Sequence, residues 1–264
     1  MFGLDTLFAP AMIAALVVIV IVGAIAHGAI GFGFPLISTP LVALLIDIKT
    51  AVLITVLPNI AVNVISVVRG GNWGESIGRH WPMAIWVVLG TMIGTHFLLV
   101  APPELLQLLL AAMIVAFLLQ DRIRQLDLTW IRRRPAVSGA VFGTVAGLFS
   151  GAVNVSAPPL VIYFMMLELP PLALTQVLNL CFITGKTIQA ATLSLAGPGS
   201  LPLLAASLPL TVLAIAALLL GIRLQKRMSP DVYSRILRAT LAAFVILLTG
   251  QAAIELAHRL HVIY

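Results

Sequence analysis

His27-Gly-Ala-Ile-Gly-Phe-Gly-Phe-Pro-Leu-Ile-Ser-Thr-Pro40 is the stretch that decides the fold. It lies between two apolar runs, and its glycines and prolines interrupt any helix that would cross a membrane there. A related stretch follows about 120 residues later, Gly147-Leu-Phe-Ser-Gly-Ala-Val-Asn-Val-Ser-Ala-Pro-Pro159. A shift of 123 positions aligns Gly28 with Gly151, Gly31 with Asn154, Gly33 with Ser156 and Pro35 with Pro158. Polar helix interruptions at corresponding places in two apolar halves indicate a transporter's binding site.

The composition predicts an integral membrane protein. Of the 264 residues, 61% are hydrophobic and 9% are charged, and the mean hydropathy is +1.14. Soluble domains carry about 25% charged residues, so the solvent of this chain is membrane lipid. The net charge of +6 does not indicate a nucleic-acid partner, because the cations cluster in short loops beside apolar runs. The single cysteine, Cys181, excludes an intrachain disulfide.

Ten apolar segments follow one another along the chain. They cover residues 9–30, 34–46, 50–68, 82–100, 104–119, 136–153, 159–169, 172–195, 201–222 and 239–257. The first is interpreted as a transmembrane helix and not as a signal peptide, because no Lys or Arg precedes it. The segments 34–46 and 159–169 are too short to cross a hydrocarbon core of about 30 Å. Each follows an interruption, so each half is predicted to contain a broken-helix hairpin followed by three transmembrane helices.

The loop cations predict opposite orientations for the two halves. Most of the 15 Lys and Arg residues lie in the loops 69–81, 120–135 and 223–238, which the positive-inside rule places in the cytoplasm. The first hairpin then begins outside and the second begins inside. The sequence therefore predicts an all-α protein of the cytoplasmic membrane with two inverted repeats, residues 1–120 and 136–264. A basic cytoplasmic linker, 121–135, joins them, and both termini lie outside. Duplication of a hairpin unit without transport is the alternative.

The interruptions resemble the repeat signatures of the TauE/SafE family. The residues that carry the resemblance are Gly28-Ala-Ile-Gly-Phe-Gly-Phe-Pro-Leu36, Gly143-Thr-Val-Ala-Gly147 and Gly151-Ala-Val-Asn-Val-Ser-Ala-Pro-Pro-Leu160. Repeat length, the basic middle loop and the number of segments extend it over nearly the whole chain. The resemblance implies a permease for sulfite, a sulfonate or another small organic anion.

Lys186 is the residue that most directly suggests anion binding. It lies near the centre of segment 172–195, where a charge costs at least about 2.5–3.5 kcal/mol and so faces a cavity or a partner. No Asp or Glu lies deep in any segment to pair with it. The alternatives are a lysine that snorkels, pairs with Glu168 or is deprotonated by burial.

Four amide side chains extend this predicted site. Under the 123-residue shift Lys186 aligns with Asn63, and Asn59 shares a helix face with Asn63. Asn179 and Gln189 roughly share a face with Lys186. We expect the two polar stripes to line one cavity near the middle of the membrane, although asparagine also commonly joins transmembrane helices.

The interruptions themselves offer donors to an anion. Backbone amides at the start of a half helix, here around Gly31 and Gly33, carry the positive end of the helix dipole. Nearby side chains add further donors, namely Ser38, Thr39, Asn154 and Ser156. The same residues are equally suited to capping the half helices.

His27 and His96 are the candidates for proton coupling, because histidine titrates near neutral pH. A lone intramembrane histidine is also a common structural residue. His27 immediately precedes the first interruption, and His96 lies within segment 82–100.

The sequence thus predicts a secondary transporter that exports a small anion by alternating access, with no enzymatic activity, cofactor or metal ion. An anion channel and a permease for a carboxylate or another small metabolite are the alternatives. An intramembrane protease is a remote one, suggested by Ser150 in Gly147-Leu-Phe-Ser-Gly151. The expected partners are the small anion, membrane lipid and, as coupling ion, H+.

Overall fold

The computed structural model describes residues 7–71, 73–123, 129–196 and 199–225, together with residues 242, 246 and 250. Within these residues the chain is almost entirely α-helical and contains no β-strand. The predicted segment 239–257 and the C-terminus lie outside the described residues, apart from the three single positions.

The first half of the chain forms six helices. They are α1 (Pro10–Ile30), α2 (Phe34–Leu45), α3 (Ile48–Arg69), α4 (Trp73–His80), α5 (Pro82–Val100) and α6 (Pro103–Leu118). The two helices α1 and α2 are the predicted broken hairpin, and α3, α5 and α6 are the three helices predicted to follow it.

The second half repeats this order as far as the structure describes it. Two short helices in the linker, α7 (Gln120–Ile123) and α8 (Thr129–Arg133), lead into it. Its own helices are α9 (Pro135–Val153), α10 (Ala157–Met166), α11 (Pro171–Ser194), α12 (Ser200–Ala206) and α13 (Leu208–Gln225). The interrupted pair is α9 and α10.

Five stretches are long and apolar enough to cross a membrane. They are α1, α3, α5, α9 and the stretch Ser200–Gln225 that contains α12 and α13. Helix α11 has 24 residues, but Lys186 and several amide side chains lower its hydropathy. Helices α2, α6 and α10 are apolar but shorter. The protein is therefore a multi-pass membrane protein with helices of unequal length.

Three details differ from the sequence prediction. The loop predicted over 69–81 contains the helix α4, and the predicted linker contains α7 and α8. The segment predicted over 201–222 is divided at Ser207, because Pro209 has no N–H to continue the hydrogen-bond ladder across the division.

Proline and glycine set most of the helix ends. Helices α1, α5, α6, α9 and α11 each begin with proline, whose fixed φ and missing N–H suit the first helical position. Helix α1 ends at Gly31, with φ of 93°, and α9 ends at Asn154, with φ of 66°. Both residues adopt the left-handed conformation that commonly ends helices.

The helices pack in pairs that the 123-residue shift exchanges. Helix α1 packs along α13, and α9 packs along α5, while α3 and α11 pack against each other. Gly28 lies against the backbone of Leu218 and Ile222, and Gly151 lies against the backbone of Thr91 and Thr95. The two aligned glycines therefore each lie against the backbone of the helix that packs on their own helix.

The α5–α9 crossing depends on small residues on both helices. Gly90 and Gly94 of α5 face the backbone around Thr144 and Leu148, and Gly147 of α9 faces the backbone around Val87. Transmembrane helices use such Gly-x-x-x-Gly faces to bring their backbones into contact. This crossing holds the end of α9, and with it the second interruption, against α5.

Candidate functional site

The first turn, residues 31–33, is held by a side chain from the second half of the chain. Gly31 and Gly33 have φ of 93° and 116°, which only glycine adopts readily. The Gly31 amide donates to the His27 carbonyl at 2.7 Å. Asn179 Nδ2 in α11 donates to the Gly31 carbonyl at 2.7 Å and to the Thr175 carbonyl at the same distance.

His27 is buried beside this turn and uses both ring nitrogens. Its Nδ1 accepts from the Phe34 amide at 3.3 Å, and its Nε2 lies 3.1 Å from Ser66 Oγ. The Ser66 hydroxyl donates to the Val62 carbonyl at 2.8 Å, so it accepts from His27. This network fixes a neutral imidazole with its proton on Nε2. A proton on Nδ1 would break the bond to Phe34 at the start of α2.

The second turn, residues 154–156, is held by side chains from the first half. Asn154 Nδ2 donates to Thr39 Oγ1 and to Thr55 Oγ1, both at 2.8 Å. Asn59 Nδ2 lies 3.4 Å from Asn154 Oδ1. Each turn is therefore tied to the opposite half of the chain, the first through Asn179 and the second through Asn154.

Replacing Asn154 by glycine is expected to lower the melting temperature while keeping the left-handed backbone. The change removes two donors to buried hydroxyls, and one lost hydrogen bond costs about 0.5–1.5 kcal/mol. Asn154→Ala should cost more, because its Cβ adds about 1–2 kcal/mol of left-handed strain. Glu168 is a matched control, since it also has positive φ but is exposed. A thermal-shift assay in which Asn154→Gly lowers stability no more than Glu168→Gly would contradict this account.

Asn59 and Asn63 form a buried pair on α3. Asn63 Nδ2 lies 2.5 Å from the Asn59 carbonyl and 2.6 Å from Asn59 Oδ1. Asn63 Oδ1 has no hydrogen-bond partner among the described residues. The pair continues the polar contacts of the second turn along α3.

Lys186 belongs to α11 and is buried against the end of α9. Its Nζ donates to the Ser150 carbonyl at 2.6 Å and to Gln189 Oε1 at 2.7 Å, while Gln189 Nε2 donates to the Gly151 carbonyl at 2.8 Å. The last carbonyls of a helix lack intrahelical partners and carry the negative end of its dipole. In this conformation the Lys186 side chain therefore caps the interrupted end of α9.

The other predicted residues have different surroundings. Ser38 is buried and donates to the Phe34 carbonyl at 2.8 Å within its own helix. Ser156 is nearly buried and precedes α10 without a side-chain cap hydrogen bond. His96 lies on the exposed face of α5. Substrate binding by the predicted residues stays a prediction.

A cavity of about 410 Å³ opens beside the first turn. Its walls come from α1, α3, α11 and α13, and include His27, Gly31, Ser66, Arg69, Thr175 and Gln176. We call it the Arg69 cavity. Of the residues predicted from the sequence, His27 and Gly31 line it. Arg69 was predicted only as a cation of a cytoplasmic loop, because sequence spacing does not show that the end of α3 faces the first turn.

A second cavity, of about 500 Å³, lies between α4, α5, α9 and α10. Arg79 and His80 line it together with aromatic side chains such as Tyr163 and Phe164. Burial and the neighbouring Arg79 guanidinium lower the pKa of His80. This cavity touches neither turn.

Comparison with known families decides the classification. The family model described as sulfite exporter TauE/SafE matches residues 15–250. The chain belongs to the TauE/SafE family. TauE/SafE proteins are membrane transporters and not enzymes, which agrees with the predicted class of protein. Searches of curated proteins and of solved structures returned no match.

Buried hydroxyls mark one more polar region of this TauE/SafE chain. Thr91, Thr95 and Ser150 each have a hydroxyl without a hydrogen-bond partner among the described residues. A Cβ added at Gly185, the residue before Lys186, would meet the hydroxyls of both Thr91 and Ser150. His27 does not act on Ser150, because its two nitrogens contact Ser66 and Phe34.

Proposed function

We propose that this protein is a secondary transporter that moves a small anion across the cytoplasmic membrane by alternating access. The substrate is sulfite, an organosulfonate or a related organic acid, and the direction is export. The observation that carries the proposal is the pair of interrupting turns at corresponding positions of a TauE/SafE chain, each tied to the opposite half.

The proposal includes an inverted arrangement of the two halves. The exchange of helix partners between halves supports a two-fold relation, and the clustering of cations in three loops supports opposite orientations in the membrane. Two helices that line the Arg69 cavity, α3 at Arg69 and α13 at Gln225, then end on the cytoplasmic side. The termini lie outside.

We further propose two half-sites, one at each turn. The first consists of Gly31, Gly33, His27 and Asn179, and the second consists of Asn154, Ser156, Lys186 and Gln189, with Asn59, Asn63 and Thr39 from the first half. Gly31 is partly exposed beside the Arg69 cavity, whereas Asn154, Lys186 and Gln189 are buried. This difference supports an assignment of the conformation as inward-facing, with the second half-site closed.

Proton coupling through His27 is part of the same proposal. A proton on His27 Nδ1 adds positive charge beside the cavity and releases the Phe34 amide from its bond to the ring. Both changes favour an anion near the first turn, since backbone amides at a helix start attract negative charge. His96, on the exposed face of α5, has no such connection.

Transport by purified protein in liposomes tests the proposal. We expect uptake of radiolabelled sulfite or an alkanesulfonate that saturates with concentration and that unlabelled anion on the opposite side accelerates by exchange. Protein-free liposomes and liposomes with heat-denatured protein are the controls. Flux that rises linearly with concentration and shows no exchange would indicate a channel instead, and no flux of any small anion would overturn the proposal.

A further inference from the structure

We propose that the Arg69 cavity is a binding site for a small organic anion, with the Arg69 guanidinium as its charged anchor. This inference rests on the proposed anion transport. It assigns the cytoplasmic part of the anion-binding site to residues that the sequence pattern did not indicate.

The charge on Arg69 is available to a ligand. Arg69 is exposed into the cavity, and no hydrogen bond or ion pair joins its side chain to another described residue. The described residues that line the cavity include no Asp or Glu. His27, the other titratable group in the lining, is neutral in the hydrogen-bond network described above. An arginine whose five donors bind no described residue, in a lining without a described carboxylate, suits a sulfonate or carboxylate head group.

The backbone that carries Arg69 is held in place from α11. Gln176 Nε2 donates to the Gly71 carbonyl at 2.9 Å and to the Val67 carbonyl at 3.3 Å, on either side of Arg69. Gly70 lies against the Gln176 side chain, where a Cβ would collide with it. Ser76 in turn donates to Gln176 Oε1. The backbone position from which the Arg69 side chain reaches the cavity is therefore fixed.

The remaining walls indicate the class of anion. Ile30, Pro171, Leu172 and Ile222 give the cavity apolar wall in addition to its polar residues. Its volume of about 410 Å³ lies in the range of small-molecule sites, about 300–1,000 Å³. A bare oxyanion such as sulfite would leave the apolar wall in contact with water. An anion with one charged head and a short apolar chain, such as an alkanesulfonate or a short carboxylate, would contact both the polar and the apolar residues.

Chemical labelling of the cavity tests this inference without relying on transport. Thr175, which lines the cavity, is replaced by cysteine in a Cys181→Ser background. Anionic and cationic thiosulfonate reagents then modify the single thiol. Arg69 should favour the anionic reagent, and Arg69→Gln should lower the ratio of anionic to cationic rates on the order of tenfold, as expected for removing one unit charge within the same cavity. Arg79→Gln is the matched control, because Arg79 lines the other cavity.

Protection by ligand completes the test. Propanesulfonate should slow labelling by an uncharged thiol reagent in a saturable way, and Arg69→Gln, but not Arg79→Gln, should abolish the protection. Sulfite is not used as the probe because it cleaves disulfides. If propanesulfonate is transported saturably but gives no protection, or if Arg69→Gln leaves both readouts unchanged, the inference is overturned while anion transport stands. Protection without transport of any anion supports the cavity site and overturns the proposed function.

Discussion

Replacing Lys186 by methionine is expected to abolish saturable anion transport and to lower the thermal stability of the protein. The substitution removes the only described cation at the second turn and leaves the Ser150 carbonyl and Gln189 Oε1 without their donor. A buried acceptor left unpaired costs about 1–3 kcal/mol. Initial rates in proteoliposomes and the melting temperature in detergent measure the two effects separately.

Lys49 provides the control for Lys186. Its Nζ also donates to a backbone carbonyl, that of Leu99 at 2.9 Å, but in an exposed position. Lys49→Met should leave both transport and melting temperature close to those of the unmodified protein. If folded, monodisperse Lys186→Met retains the original KM and maximal rate, Lys186 serves only to cap α9, and its assignment to the substrate site is wrong.

Replacing Gly94 by valine is expected to prevent stable folding. The added side chain would occupy the space of the Leu148 carbonyl in α9, so the two helices would have to separate along the crossing. Overpacking a core by a few methylene groups costs about 1–3 kcal/mol, and a collision with backbone has fewer ways to relax. Fluorescence-detected size-exclusion chromatography after expression should show loss of the monodisperse peak.

A graded series makes this prediction specific. Gly94→Ala should give an intermediate loss of melting temperature, since one methyl group already meets the Leu148 carbonyl. Gly74→Ala is the control, because a Cβ at Gly74 meets no other atom within 4 Å. If Gly94→Val is as stable as Gly74→Ala, the close approach of α5 and α9 does not support the fold.

The helices and the two interruptions could be predicted from the sequence, because hydropathy, proline and glycine act locally. The short segments 34–46 and 159–169 correspond to α2 and α10, and the 123-residue shift identified the two turns. The division at Ser207 is also explained by a local feature, Pro209. What the hydropathy pattern missed, such as α4 between α3 and α5, is too short and too polar to resemble a membrane helix.

The connections between the turns could not be predicted. Asn179 and Gly31 are 148 positions apart, and Asn154 and Thr39 are 115 positions apart, so no local pattern joins them. Lys186 was predicted to face a cavity or a partner, but the sequence does not show that the end of α9 reaches it and supplies the Ser150 carbonyl. Arg69 was not predicted as a binding residue, because the positive-inside rule already explained a cation at the end of a membrane helix.

The two turns differ in how strongly the opposite half of the chain holds them. The first contains two glycines in the left-handed region and is fastened through one backbone carbonyl, whereas the second is fastened through the Asn154 side chain at several points. We therefore expect the first turn to change its conformation more easily than the second. If the halves exchange roles during a transport cycle, the two end states differ in energy even without substrate. The resting direction of the protein then depends on the residues at matching positions of the two turns, glycine at 31 and 33 against Asn154 and Ser156.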